Sequence, residues 1–284
     1  MSASPNQPLA PPCARCLGRG YLFAPKGERS LAEPCECQIG CRACGGTGKV
    51  FTQRDGAVFA GGCRCKEIRR RVGLFNQARV PRHFCDKGFE RFRVYEAGQE
   101  GALRAAKSFA ENYPKGRKGI CMWGKPGTGK THLLCATLQH LTLERGVPCR
   151  YVEISLLFSE IKEAFQRNIS ALTALAPLAD VEILAIDEIG KGRGTDFERE
   201  TLDELLGRRY NADRTTLFAT NCNARLRPRL DPGASGFASP LTVAREAVSD
   251  QELSERIGDR SFSRLAEMAD ILHVQGEDRR KPPG

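Results

Sequence analysis

The chain has 284 residues, 40% hydrophobic and 27% charged, which is the balance of a soluble globular protein with room for one ordinary domain and a smaller one. No apolar run approaches a membrane span, and the opening "MSASPNQPLAPP" lacks the basic-then-apolar order of a secretory signal. Net charge is +10, and residues 1–75, with 12 basic against 5 acidic side chains, hold +7 of it.

Residues 1–12 are Pro-, Ser- and Asn-rich and are expected to form a loose tail. A duplicated motif follows. Cys13, Cys16, Cys35 and Cys37 recur 28 residues later as Cys41, Cys44, Cys63 and Cys65, and Gly18, Gly20 and Phe23 recur as Gly46, Gly48 and Phe51. Each copy is a C-x-x-C, 18 residues, then a C-x-C. Four thiolates from two chain segments are what a tetrahedral Zn²⁺ site needs. The intervening stretches read as short hairpins with Lys-Gly or Asp-Gly turns. Two Zn²⁺ ions per chain are expected, paired sequentially, because the repeat duplicates a whole ligand set; nested pairing joins the outermost and innermost pairs instead. Disulfides are the structural alternative, and a chain without a signal segment is expected in the cytoplasm, where thiols stay reduced. With two ions and eight thiolates, the +7 of this region falls to about +3, so its charge is weak evidence for nucleic acid. The run "KEIRRRVG" after Cys65 remains a basic cluster, read either as a solvated helix face or as a DNA contact. Metal removal is expected to unfold residues 13–65 and spare nucleotide binding.

The expected organisation is a zinc module over 13–70, a docking segment over 71–100 and a nucleotide-binding core over 101–284. In the docking segment Leu74, Phe75, Val80, Phe84, Phe89 and Phe92 are apolar enough to sit on a core. A helix is predicted from Leu103 to the Pro114–Gly116 stop, and "GICMW" is a strand. Gly124, Lys125, Pro126, Gly127, Thr128, Gly129, Lys130 and Thr131 then spell G-x-x-x-x-G-K-[ST] in full, ahead of a helical run. Gly127 and Gly129 permit a tight turn whose N–H groups face phosphate oxygens. Lys130 reaches the outer phosphates of ATP, and the Thr131 hydroxyl ligates Mg²⁺.

Beyond the loop, "CRYVEI" is a strand. "SLLFSEIKEAFQ" is a helix opened by Ser155, with Leu157, Ile161 and Phe165 on one stripe. "VEILAID" is a buried strand ending in Asp187 and Glu188, "FERETLDELLGRRY" a helix, and "TTLFATN" a strand ending at Asn221. This alternation predicts an α/β fold with a parallel sheet covered on both faces, and ligands at the strands' carboxyl ends. There Asp187 can hold Mg²⁺, Glu188 can activate water as a general base, and Asn221 can position that water. Cys85, Cys121, Cys135, Cys149 and Cys222 are expected to pack as small apolar residues, and the four histidines show no metal spacing.

Two resemblances follow. "CARCLGRG" and "CRACGGTG" resemble the C-x-x-C-x-G-x-G motifs of DnaJ-type zinc modules, from which the C-x-C halves depart. "GKPGTGKTHLL", "ILAIDEIG", "FERETLDELLGRRYNADRTTLFATN" and "LSERIGDRSFSRLAEM" resemble the AAA+ ATPases of the DnaC-type helicase loader family, which includes IstB-type transposition helpers. The likeness covers about residues 80–280. It implies an αβα P-loop core, self-assembly with ATP hydrolysed at subunit interfaces, and delivery of a replicative DNA helicase to single-stranded DNA. It places the outer-phosphate sensor on Asn221, an arginine finger on Arg264, a second functional arginine on Arg260, and a DNA-contacting helix on "SLLFSEIKEAF". There Phe158 and Phe165 are candidates for stacking on bases, with core packing favoured for Phe165. The segment "RPRLDPGASGFASPLTVARE" reads as an inserted loop, and a core without the helical lid of many AAA+ proteins is expected. A transposition helper, and a zinc-dependent adaptor with a nucleotide switch, are the rival functions.

Overall fold

The first four-cysteine unit folds as a hairpin of β1 (Tyr21–Phe23) and β2 (Ala32–Pro34), antiparallel with Tyr21 opposite Pro34. Its turn is Gly27–Glu28, one residue on from the expected Lys-Gly pair. Lys26 bridges Arg29, and Gly27 takes the left-handed φ of 58°. The second unit pairs β3 (Lys49–Arg54) with β4 (Ala57–Gly62), and the two-residue turn Asp55–Gly56 has φ of 50° and 77°, the signature of a type I′ turn. The structure, a computed structural model, describes residues 13–38, 41–115, 118–225 and 249–278. The expected tail and the inserted loop fall outside that set.

The two hairpins have the same pattern and different surroundings. Tyr21 and Ala32 are buried, and Phe23 sets its edge against Phe75 with ring centroids 5.7 Å apart. Its repeat counterpart Phe51 is 69% exposed, beside Val58 and Phe59 at 67% and 55%. The cause is α1 (Arg64–Gln77), which starts at the last cysteine pair and turns its stripe of Ile68, Val72 and Phe75 toward the first hairpin. The Asn76 side chain closes that contact, accepting from Ala32 N at 2.8 Å and donating to Ala32 O at 3.0 Å.

The basic run on α1 is largely exposed, as a solvated face requires, and it also serves as a docking device. Glu67 accepts from Arg70 and Arg71 at 2.7 and 2.9 Å, and these arginines donate to Gly146 O and Leu143 O. Arg69 donates to Gln38 O. The guanidinium groups therefore fasten the cysteine region to carbonyls, both within it and on the adjoining core.

That core follows the predicted alternation. α2 (Ala97–Asn112) begins six residues before Leu103, because Glu96 and Gln99 form a capping box there. Then come β5 (Gly119–Trp123), α3 (Lys130–His140) with a π-helical end at Leu141–Arg145, β6 (Cys149–Glu153), α4 (Ile154–Gln166) and α5 (Ala171–Asp180). They are followed by β7 (Ile183–Asp187), α6 (Asp196–Asn211) and β8 (Thr215–Thr220). A small parallel pair, β9 (Cys222–Asn223) with β10 (Ser249–Glu252), leads to α7 (Leu253–Ile257), α8 (Asp259–Met268) and β11 (Ala269–His273). The sheet order is β11-β5-β8-β7-β6, parallel throughout.

Side chains alternate across the sheet as strand geometry requires. Ile120, Met122, Ile183, Ala185 and Leu217 face the first hairpin, α1, α2 and α3. Cys121, Trp123, Leu184, Ile186 and Phe218 face α4 to α8. Cys85, Cys121, Cys135 and Cys149 are buried, as expected, and Cys222 is half-buried.

Three expectations are corrected. Ser155 lies inside α4, and the N-cap is Glu153. Phe158 is buried and so is in the core, whereas Phe165, expected in the core, is 43% exposed with its edge on Phe197. The stretch 171–180, capped by Ser170, is a helix despite Pro177, and β11 is a fifth strand; neither was predicted.

Arg209 on α6 is fully buried and knits α5 to the sheet, donating to the carbonyls of Leu178, Ala179, Val181 and Thr215 and to the Thr216 hydroxyl. Orphaning one buried acceptor costs about 1–3 kcal/mol. Arg209→Met is expected to destabilise the chain by about 3 kcal/mol, and a thermal melt lowered by about 6–12 °C checks it.

Candidate nucleotide site and cysteine clusters

The loop from Gly124 to Thr131 joins β5 to α3, and two of its glycines are required sterically. Gly124 has φ 151°, and a Cβ there would lie 2.4 Å from Val274 O. Gly129 has φ 101°, and its Cβ would lie 2.5 Å from the Phe92 ring. The Lys130 ammonium is buried and donates to Gly124 O and Lys125 O, both at 2.7 Å. These two carbonyls place the amine at the centre of the loop.

The ends of β7 and β8 bring up the remaining groups. Asp187 is buried and accepts from the Tyr151 hydroxyl at 2.8 Å and from the Glu188 amide at 2.9 Å. Burial raises its pKa above the ordinary aspartate value, and the Tyr151 and Thr131 hydroxyls oppose that rise. Glu188 has a left-handed φ of 55°, uncommon for a non-glycine residue, where the strand turns over the rim. Pro126, Gly127, Gly129, Lys130, Thr131, Asp187, Glu188, Thr220 and Asn221 line one cleft of about 350 Å³. Thr128 is tied behind the loop, where Gln99 of α2 donates to its carbonyl at 3.2 Å. The convergence predicted from strand ends is thus present in space.

Sequence reasoning missed several neighbours. Tyr151 reaches Asp187 from the adjacent strand, and only the β6–β7 register reveals it. His83, Phe84 and His132 line the same cleft and offer ring surfaces beside the loop. Lys191 pairs with Glu188 and with Glu153, the latter at 3.2 Å.

Arg264 and Arg260 lie together on one side of α8, as expected, and away from the loop's own cleft. Both face Asp203 of α6, Arg264 at 2.7 Å and Arg260 at 3.5 Å. Arg264 also donates to Asp203 O and is only 19% exposed; Arg260 is 75% exposed.

The eight cysteines gather in the sequential sets Cys13, Cys16, Cys35, Cys37 and Cys41, Cys44, Cys63, Cys65, with all sulfurs of a set within 4.8 Å of one another. The Sγ–Sγ distances of 3.5–3.9 Å match the edge of a tetrahedron with metal–sulfur bonds of about 2.3 Å. The amides of Gly20 and Gly48 each point at a sulfur at 3.3 Å. Backbone amides at Cys16 and Arg15 hold the Cys13 thiol down to about 7. Burial and then the Cys44 and Cys63 thiols push Cys65 up to about 12. Four crowded thiols thus resist full ionisation unless a cation joins them, so the donor set fits Zn²⁺.

The family model for IstB-like ATP-binding proteins matches residues 56–224. The chain belongs to that family. The matched segment includes the phosphate loop, Asp187, Glu188 and Asn221, and ends before the two arginines of α8. The replicative helicase loader DnaC of Escherichia coli K12 is 31% identical over 150 residues, 52% of this chain and 61% of DnaC. The chain therefore spans less than two thirds of that relative. The uncharacterised protein YdaV of Escherichia coli K12 is 30% identical over 180 residues, 61% of this chain and 72% of YdaV. A crystal structure of the DnaC helicase loader superposes with a TM-score of 0.54 at 24% identity, covering 68% of this chain and 99% of that one, a likeness of fold. The core has the AAA+ P-loop architecture. Among the described residues, no helix is long and apolar enough to cross a membrane.

Proposed function

We propose that this protein is an ATP-hydrolysing loader that delivers a replicative DNA helicase to single-stranded DNA in the cytoplasm. The observation that carries the proposal is the single cleft shared by Lys130, Thr131, Asp187, Glu188 and Asn221. The identity with DnaC supports the choice of partner. ATP lays its phosphates on the loop, and the Lys130 amine turns from its carbonyls to the outer phosphates. Thr131 and Asp187 would hold Mg²⁺, which supplies neutralising charge. Asn221 orients a water whose oxygen bonds to the terminal phosphorus as the bond to the ADP oxygen breaks. Glu188 takes the water's proton and later releases it to solvent, leaving ADP and inorganic phosphate.

The cysteine units hold two Zn²⁺ in this reading and have separate tasks. The first staples the module to the core. The second presents Phe51 and Val58 on one face of its hairpin and Phe59 on the other, flanked by exposed Lys49, Arg64 and Lys66, for contact with the helicase. The match to the IstB-like family favours a second reading, a transposition helper. Binding of double-stranded DNA and a transposase, with no helicase retained, would select it.

Hydrolysis at subunit interfaces is tested by mixing two inactive variants. Arg264→Ala keeps Glu188, and Glu188→Gln keeps Arg264. Arginines supplied in trans give about 10³–10⁵ in rate in other phosphoryl-transfer systems, so each variant alone should be nearly inactive. The mixture should recover part of the activity where a working Glu188 meets a working Arg264. To act in trans, Arg264 must leave Asp203, and a co-assembled mixture without recovery assigns it to that internal pair. The same series with Arg260→Ala assigns the trans role to whichever arginine is complemented.

A further inference from the structure

We propose that Lys191 is a positioning residue that restrains Glu188, so that the resting protein turns ATP over below its capacity. This inference rests on Glu188 being the general base. The Lys191 ammonium contacts the Glu188 carboxylate and lies 3.2 Å from the carboxylate of Glu153, the N-cap of α4. The backbone dictates the pairing. Glu188 stands at φ 55°, and the Lys191 amide donates to Glu188 O at 2.8 Å, closing a turn that sets the two side chains against each other.

The turn itself is fixed on both sides. Ile189 N donates to Ala219 O at 3.0 Å, and the Thr220 hydroxyl donates to Ile189 O at 2.6 Å. The Arg256 guanidinium of α7 donates to Gly190 O at 3.0 Å and to Gly192 O. With the backbone held, the soft part of the arrangement is the Lys191 side chain, 56% exposed on a flexible stem. A carboxylate oxygen engaged by an ammonium has fewer lone pairs to offer a water. Glu153 competes for the same cation and ties it to the start of α4, so displacement of that helix end by a bound partner would also alter the hold on Glu188. The loop therefore contains a restraint on the base, shared between two carboxylates.

The test is steady-state ATP turnover by the full chain, with kcat and KM separated. Lys191→Gln should raise kcat about two- to fivefold, the range an exposed ion pair can exert, with KM within about twofold. Lys191→Arg should restore the low rate. Glu153→Gln should lower kcat, because the ammonium then serves Glu188 alone, and the double variant should match Lys191→Gln. A purely supporting lysine predicts the opposite sign for Lys191→Gln and no such dependence between the two positions. If wild type hydrolyses ATP, Glu188→Gln does not, and Lys191→Gln is no faster than wild type, the restraint is wrong and the base assignment stands. If wild type and Lys191→Gln both bind ATP and neither hydrolyses it, both fall.

Discussion

Lys130→Ala is expected to abolish tight ATP binding, and Glu188→Gln is expected to preserve binding while hydrolysis is lost. The two outcomes separate because the side chains meet ATP differently. Lys130 is buried at the centre of the loop, 2.7 Å from two of its carbonyls, and supplies cationic charge where the outer phosphates would lie. Removing it leaves a concentrated negative charge with amide dipoles but no ammonium partner. Glu188 lies on the rim, and its substitution leaves the loop, Thr131 and Asp187 in place. Loss of a general base typically costs about 10²–10⁴ in rate. Calorimetric titration with ATP and release of inorganic phosphate report the two steps independently. Normal turnover by Glu188→Gln would remove the water-activating role. Tight binding by Lys130→Ala would show that the amides carry the phosphates unaided.

Elemental analysis should give two zinc ions per chain, and the two sites are expected to be unequal in what they support. Metal loss at the first site is expected to weaken the core as well as unfold its own hairpin. Tyr21 and Ala32 of the first hairpin belong to the same apolar cluster as Phe75, Leu134 and Met122, so the first site buttresses the nucleotide-binding fold itself. The second hairpin has every residue of β4 exposed. A structural zinc contributes on the order of 10 kcal/mol to folding of a small domain, and only the part shared with the core moves the global melt. Cys16→Ser should therefore lower the melting temperature by about 8–16 °C, if about 4 kcal/mol is lost at about 2–4 °C per kcal/mol. Cys44→Ser should shift it by less than about 3 °C while still removing one equivalent of zinc. Equal shifts, a single ion per chain, or disulfides detected by mass would each overturn the paired and unequal sites.

What was legible in the sequence has a common physical character. The phosphate loop, the Asp187–Glu188 strand end and the cysteine repeat are local constellations, in which residue type and spacing along the chain already fix the chemistry. The strands β5, β7 and β8 are buried over their full length, so they stand out as continuous apolar runs between amphipathic helices. Even the pairing of the cysteines follows from the repeat, because each copy closes its own hairpin before the next begins. The misses arise where local signals compete or are weak. Residues 171–180 carry a proline, and 269–273 mix polar and apolar residues at a sheet edge, so neither segment announces its structure.

Tertiary structure alone decided which of two like elements is buried and which group meets which. Phe23 and Phe51 hold equivalent places in the repeat, yet only Phe23 has α1 and Phe75 beside it. Phe158 and Phe165 share one helix and differ in exposure: Phe158 belongs to the apolar cluster beneath the sheet, while Phe165, near the end of α4, sets its edge on Phe197 and stays 43% exposed. The arginines after Cys65 carry the same charge wherever they point, and only the docking of α1 shows that Arg69, Arg70 and Arg71 reach backbone carbonyls. Tyr151 bonds Asp187 from 36 residues away, and Arg264 bonds Asp203 from 61. Such pairings depend on strand register and helix packing, which are set by the whole core and are written in no single stretch of the chain.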